Sequence, residues 1–234
     1  MKKIFAVFCV TCLSFASSRA DTLAQWTFET SPPADITDNT TISGIAADTG
    51  TGTASGIHAS SLTDWSTPTG NGSANSISAN NWAIGDYYQF STVTTGYEDI
   101  FLGWAQTSST TGPGEFKLAY QVNGGGFTDF TDYTVLPNSA TAPGVGTWSS
   151  STENTGYNFS INLSAITSLD NAASVDFRLI MRTDNDSTPP GTVAVAGTSR
   201  IDNFTVTATP VPEPSVFALA GLGGLALLAY RRRR

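Results

Sequence analysis

Between Glu115 and Val122 apolar and polar residues alternate: Phe116, Leu118, Tyr120 and Val122 fall on one side, Lys117, Ala119 and Gln121 on the other. The same period of two runs through Val175–Arg182, where Val175, Phe177, Leu179 and Met181 alternate with Asp176, Arg178, Ile180 and Arg182. That period sends successive side chains to opposite faces of an extended chain, so both stretches are predicted strands with one buried face. Shorter runs at 23–28, 87–91, 100–106, 127–131, 157–163 and 201–207 predict further strands. Asn123-Gly124-Gly125-Gly126 lies between two of them and predicts a hairpin turn. A helical period is absent except for a weak turn around 164–169. Short strands separated by turn residues predict an all-β fold: one antiparallel β-sandwich, jelly-roll-like, over residues 21–207.

The stretch 36–81 breaks the pattern. It is poor in large apolar residues and dense in Gly, Ser, Thr and Ala, which predicts long loops with one or two short strands, one near 55–59. A body of this length can bury roughly 70% of its unfolded surface and needs no disulfides for stability.

Both ends carry targeting chemistry. Lys2 and Lys3, the apolar run Ile4–Leu13, and Ser18 and Ala20 at the −3 and −1 positions predict a signal peptide over residues 1–20, cleaved before Asp21. Cys9 and Cys12 both lie inside it, so the exported chain has no thiol for catalysis, metal binding or disulfides. At the other end, residues 208–214 form a proline-rich linker, followed by an uncharged stretch, 215–230, in which Ser215 is the only clearly polar residue. As a helix its 16 residues span roughly 24 Å, slightly short of a hydrocarbon core of about 30 Å. Arg231, Arg232, Arg233 and Arg234 end the chain and belong on the cytoplasmic side of one C-terminal transmembrane helix.

Val211, Pro212, Glu213 and Pro214, then a Gly/Ala/Leu helix, then an arginine run: this order at a C-terminus resembles the PEP-CTERM sorting signal of Gram-negative bacteria. The resemblance implies an exosortase, a membrane cysteine transpeptidase-like enzyme, as partner after Sec export, with cutting near Pro212-Glu213-Pro214. It implies an inner-membrane intermediate, then a place at the cell surface or in the extracellular matrix of a bacterium that makes extracellular polysaccharide. A simple single-pass tail anchor is the alternative. The body resembles the secreted jelly-roll domains that accompany such signals, carbohydrate-binding modules among them, through Gln25–Glu29, Phe116–Val122 with its glycine turn, and Arg200–Phe204.

Charge narrows the partners. The formal net charge is −8, but residues 21–209 hold four basic residues against 18 acids, a formal −14. Such a body repels phosphate backbones, which excludes nucleic acid as its partner. It also repels anionic polymers within a Debye length of about 8 Å, which favours neutral glycans or calcium-bridged acidic ones.

Catalytic chemistry is sparse. His58 is the only histidine and is expected to be a solvated loop residue; no Gly-x-Ser-x-Gly surrounds any serine, and no Gly-x-x-x-x-Gly-Lys occurs. Glu29, Glu98, Glu115 and Glu153 are candidates for the paired carboxylates of a glycosidase, without the strand motif expected of jelly-roll glucanases. No catalytic residue is assigned and no cofactor is certain. A structural calcium joining the first and last strands is the candidate metal, as the resemblance to sugar-binding modules implies, with Glu29 at the end of the first strand, Asp202 in the last and Asp48 from the loop as its ligands. Trp65, Trp82 and Trp148 sit in polar, loop-like contexts and are the candidate sugar-stacking residues. The expectation is a non-catalytic structural protein of the surface or matrix. The alternative is a carbohydrate-binding module, and a glycan-active enzyme stands further off.

Overall fold

The computed structural model describes residues 19–30, 32–139 and 146–211, with 223, 224, 228 and 230–232 near the C-terminus. Thirteen strands follow in chain order: β1 (Asp21–Trp26), β2 (Thr41–Ala46), β3 (Thr49–Gly50), β4 (Gly52–Ile57), β5 (Trp65–Ser66), β6 (Ile77–Ala79), β7 (Tyr87–Thr92), β8 (Tyr97–Ser108), β9 (Glu115–Val122), β10 (Thr128–Thr134), β11 (Asn158–Asn162), β12 (Val175–Met181) and β13 (Ser199–Pro210). The first sheet runs β11-β8-β13-β1-β3, with β6 also pairing β13 and β5 joining β6. The second runs β10-β9-β12-β7-β4-β2. All named strand pairs are antiparallel, and the two sheets form the expected all-β sandwich.

The period-2 segments occupy the places their patterning requires. β12 lies between β9 and β7, and its inward residues Val175, Phe177, Leu179 and Met181 are all buried. Across the sandwich Phe90 of β7 stacks on Phe204 of β13 with ring centroids 3.7 Å apart, and Trp26 meets both edge-on. The β9–β10 connection is an Asn-Gly turn. Asn123 and Gly124 have φ of 49° and 72°, and the Gly125 amide donates to the Val122 carbonyl at 3.0 Å. Two consecutive left-handed residues match the twist of the flanking strands. The weak turn expected at 164–169 is a single 3₁₀ turn, Thr167–Leu169.

The segment 36–81 corrects the loop expectation, because it supplies β2 to β6. β4 is an interior strand of the second sheet, paired with both β2 and β7. Its inward positions are Ala54 and Gly56 because two tryptophans fill the space above them. A Cβ on Gly56 would collide with the Trp65 ring, and one on Gly52 would lie 2.6 Å from the Trp26 ring. The strand is small-residue-rich because it forms the seat for large rings, and this hides it from a reading based on apolar bulk. At the other end, β13 continues to Pro210, three residues into the expected linker, pairing Thr209 with Glu98 and Pro210 with Tyr97. A proline that ends a strand removes no interior ladder bond.

The first 18 residues of the expected signal peptide lie outside the described residues, as do Pro212, Glu213, Pro214 and most of the expected helix 215–230. Among the described residues no helix is long and apolar enough to cross a membrane.

Candidate functional site

The three candidate sugar-stacking tryptophans are in the interior, which corrects their expected exposure. Trp65, Trp82 and Trp148 are 1%, 7% and 6% exposed. Each indole N–H donates to a backbone carbonyl: Trp65 to Asn39 at 2.9 Å, Trp82 to Ala79 at 2.8 Å, Trp148 to Thr69 at 2.8 Å. Trp65 and Trp82 enclose His58, with ring centroids 4.7 and 4.2 Å from the imidazole. His58 is therefore a core residue, and the expectation of a solvated loop histidine is corrected with them. Their chain neighbours are polar because those neighbours face outward, and of the three rings that of Trp65 supplies bulk above Gly56 of β4.

The calcium candidates accept from hydrogen-bond donors in two places, Asp48 at the turn leaving β1 and Asp202 with Glu29 at the loop 71–75. Asp48 Oδ2 accepts from the Thr27 amide at 2.7 Å, the Thr27 hydroxyl at 2.9 Å and the Phe28 amide at 2.9 Å, and Oδ1 accepts from the Thr30 amide at 3.0 Å. Partial burial pushes this carboxyl up, but bonds from Thr27 and Thr30 outweigh it and hold the group below the ordinary carboxylate range. They fix the turn leaving β1, where Phe28 has a φ of 59°. Asp202 is fully buried. Its oxygens accept from the Asn71 amide (2.8 Å), the Ser73 hydroxyl (2.7 Å) and the Asn203 amide (2.7 Å). Burial pushes its carboxyl up to about 6; those bonds oppose the shift and the charge of Glu29 adds to it. Glu29 Oε1 accepts from the Asn75 amide at 2.6 Å. Glu29 and Asp202 thus clamp one loop, 71–75, to the sandwich. The oxygens of Asp48 and Asp202 are turned to N–H and O–H donors and Glu29 gives one oxygen to the Asn75 amide, so the three do not form the converging oxygen set that a calcium ion takes. Among the described residues no group of three or more His, Cys, Asp or Glu side chains is placed to hold a metal.

The structure shows a site that no contiguous motif announces: an open cleft of about 410 Å³ on the outer face of the first sheet. Register builds its floor. Gln25 of β1 pairs with Thr205 of β13, Thr205 with Gly103 of β8, and Gly103 with Ser160 of β11. One row therefore crosses four strands, with polar side chains on either side of a glycine. A Cβ on Gly103 would meet only the Phe159 carbonyl oxygen, at 3.8 Å, so the depression is open space. A bulge on β13 beside the row turns Asn203 into the left-handed region, φ 54°. At the rim, Asn158 is committed: its amide donates to Glu153 at 2.6 Å and its carbonyl accepts from Asn71 at 3.2 Å. Among the described residues the Gln25 amide and the Ser160 hydroxyl have no side-chain hydrogen-bond partner. The cleft therefore offers neutral donors and acceptors to a hydroxylated ligand, and among the described residues Glu153 is the only carboxylate that lines it.

An all-β sandwich whose last strand leads directly into a sorting motif is the class that these features define. A family model described as the PEP-CTERM protein-sorting motif matches residues 210–234, and the chain carries that motif. It implies export to the cell surface. No curated protein matches the chain. Solved structures resemble the body at low identity. The carbohydrate-binding and catalytic modules of Clostridium thermocellum xylanase 10B, solved with xylohexaose, match at TM-score 0.43 and 12% identity, over 80% of this chain and 28% of that one. A cleaved adhesin domain of Lys-gingipain from Porphyromonas gingivalis matches at TM-score 0.39 and 13% identity, over 80% and 99%. The N-terminal cellulose-binding domain of Cellulomonas fimi β-1,4-glucanase C matches at 0.36 and 10%, over 64% and 85%. At these scores the likenesses carry nothing about ligand or activity.

Proposed function

We propose that the protein is an exported, non-catalytic structural component of the cell surface or extracellular matrix. In this reading the signal peptide 1–20 directs Sec export, and the helix 215–230 with its arginine tail holds the chain in the inner membrane. An exosortase then cuts at Pro212-Glu213-Pro214. The observation that carries the reading is the sorting motif at 210–234, which begins where β13 ends at Pro210. The processing segment therefore follows the last strand of the sandwich in sequence. Mass spectrometry of the protein from its native host is expected to find a chain without Arg231–Arg234, and deletion of Pro212–Pro214 is expected to restore the full tail mass. A mature wild-type chain that keeps the four arginines overturns the proposal.

A second reading, binding of a neutral polysaccharide in the first-sheet cleft, is favoured by the Gln25 amide and Ser160 hydroxyl beside the Gly103 depression, neither with a side-chain hydrogen-bond partner among the described residues. Having one lining carboxylate where glycoside hydrolysis uses two also supports binding over turnover. Retention on insoluble neutral polysaccharides should fall about fivefold or more in Gln25→Ala/Ser160→Ala, since each lost hydrogen bond is worth about 0.5–1.5 kcal/mol. Equal retention of the double variant removes this reading.

A further inference from the structure

The outer face of the second sheet carries a row set by register, Ala119–Arg178–Gln89–Ser55 across β9, β12, β7 and β4. Beside it runs Ile180–Tyr87–Ile57, in which Ile57 is 42% exposed. Arg178 is held on three sides. Its guanidinium lies over the Tyr87 ring at 3.9 Å and the Phe127 ring at 3.7 Å, and its Nε donates to Gln89 Oε1 at 2.8 Å. Among the described residues neither Nη group has a hydrogen-bond partner, and the Asp176 carboxylate acts on the guanidinium only through its charge.

The other cations on this face are neutralised. Lys117 pairs with Asp129 at 2.6 Å, and Arg182 pairs with Glu115 at 2.5 Å and Asp132 at 3.4 Å. The nearest acid to Arg178 along its own strand, Asp176, accepts from Ser91 and from Gln89. A guanidinium whose plane is fixed between two rings loses little side-chain freedom on binding, and its open edge has the fork geometry that planar oxyanions match in a bidentate way.

We propose that this face binds a carboxylate-bearing polysaccharide, with a uronate carboxylate on the Arg178 fork and the sugar's C–H face against the Tyr87–Ile57 strip. The juxtaposition carries the assignment: an apolar strip runs alongside a row of guanidinium, amide and hydroxyl, which matches a ring with an apolar face and a polar edge. One guanidinium, with the Asp176 charge nearby, suits an isolated uronate in an otherwise neutral chain. A polymer with denser charge meets the −14 of the surrounding body. The site is separate from the first-sheet cleft and rests on the export reading only for the class of polymer encountered. Its test reads binding and not tail processing, so the two fail independently.

The experiment is retention of the full chain, in detergent and EDTA, on agarose-coupled polygalacturonate with most carboxylates methyl-esterified, with coupled neutral galactan and poly-glutamate as parallel arms. Wild type is expected to be retained on polygalacturonate alone. Arg178→Gln and Arg178→Lys are both expected to weaken it about tenfold, the second because it keeps the charge but loses the fork. Side-chain ¹⁵N spectra of the wild type should show one arginine Nε–H shifting with trigalacturonate and none with galactotriose. That measurement stands even if a variant fails to fold. Equal retention on galactan, equal retention of Arg178→Gln, preference for poly-glutamate, or no shifting arginine signal each overturns the proposal.

Discussion

Replacing Trp65 with alanine should lower the free energy of unfolding by about 3–5 kcal/mol, the range for truncating a large buried aromatic. For a chain of this size that is a fall in Tm of roughly 10 °C. The ring is 1% exposed, packs on His58 and Tyr88, and fills the space above Gly56, while its N–H satisfies the Asn39 carbonyl. Truncation removes all of these together. The loss should be partly recovered by a second change, because the missing ring leaves room over β4. Gly56→Ala alone forces a Cβ against a rigid buried ring and should destabilise by about 1–3 kcal/mol. Added to Trp65→Ala, it should cost much less than the two single effects combined. Urea unfolding of the four proteins checks this cycle, and an unchanged midpoint for Trp65→Ala would show that the ring is not part of the core. The consequence for ligand work is direct. Alanine scanning at Trp65, Trp82 and Trp148 would report folding, so binding has to be probed at Gln25, Ser160 and Arg178.

How much of this was legible in the chain depended on where the information was stored. β9 and β12 were readable because their inward residues are large and alternate strictly. β4 was not, since its inward residues are Ala54 and Gly56 and its packing partners, Trp26 and Trp65, lie elsewhere in sequence. The tryptophans misled for the complementary reason: a polar neighbourhood in sequence says where the neighbours point and not where the ring goes. The sorting signal was legible because it is contiguous and is read as a linear segment. The first-sheet cleft was not, because Gln25, Gly103, Ser160 and Thr205 meet only through the register of four strands. Alternation did place Arg178 outward, opposite Phe177, but no local pattern brings Phe127 across Ala119 to cover it. Of the three acids proposed for calcium, Asp48 holds the turn leaving the first strand, and Asp202 and Glu29 hold the 71–75 loop. Their chemistry was misjudged because the amides that satisfy them come from loops whose paths composition does not fix.

His58 should make the protein sensitive to acid well above the range in which carboxylates titrate. It is 2% exposed, and its Nδ1 lies 3.2 Å from the Thr63 hydroxyl and 3.6 Å from Asp86. The Thr63 hydroxyl donates to the Ser60 carbonyl at 3.0 Å, so its lone pairs face the imidazole and accept from Nδ1–H. Among the described residues that leaves Nε2 buried without a well-formed hydrogen bond. The distance to Asp86 is that of an ion pair, yet burial pushes the histidine down to about 3, against a smaller opposing contribution from the Asn80 backbone, and pushes the Asp86 carboxyl up. Both shifts favour the neutral forms, so the pair is not an ion pair at neutral pH. Because the folded pKa lies below the unfolded value of 6.5, the unfolded chain takes up a proton first. The stability that depends on neutral His58 is complete above pH 6.5 and is lost as pH falls toward 3, by up to about 1.4 kcal/mol per unit. Asp202 works in the opposite direction. Its carboxyl is raised to about 6, so its contribution is full below 3.8 and is lost as pH rises through 6, which partly masks the histidine in the wild type. The comparison that isolates His58 is therefore with His58→Phe, which keeps a ring between the two tryptophans and cannot be protonated. Between pH 6.5 and 4.5 the variant should gain on the wild type by about 2–3 kcal/mol in urea unfolding. Curves that stay parallel across that range would mean the imidazole is protonated as readily in the fold as outside it.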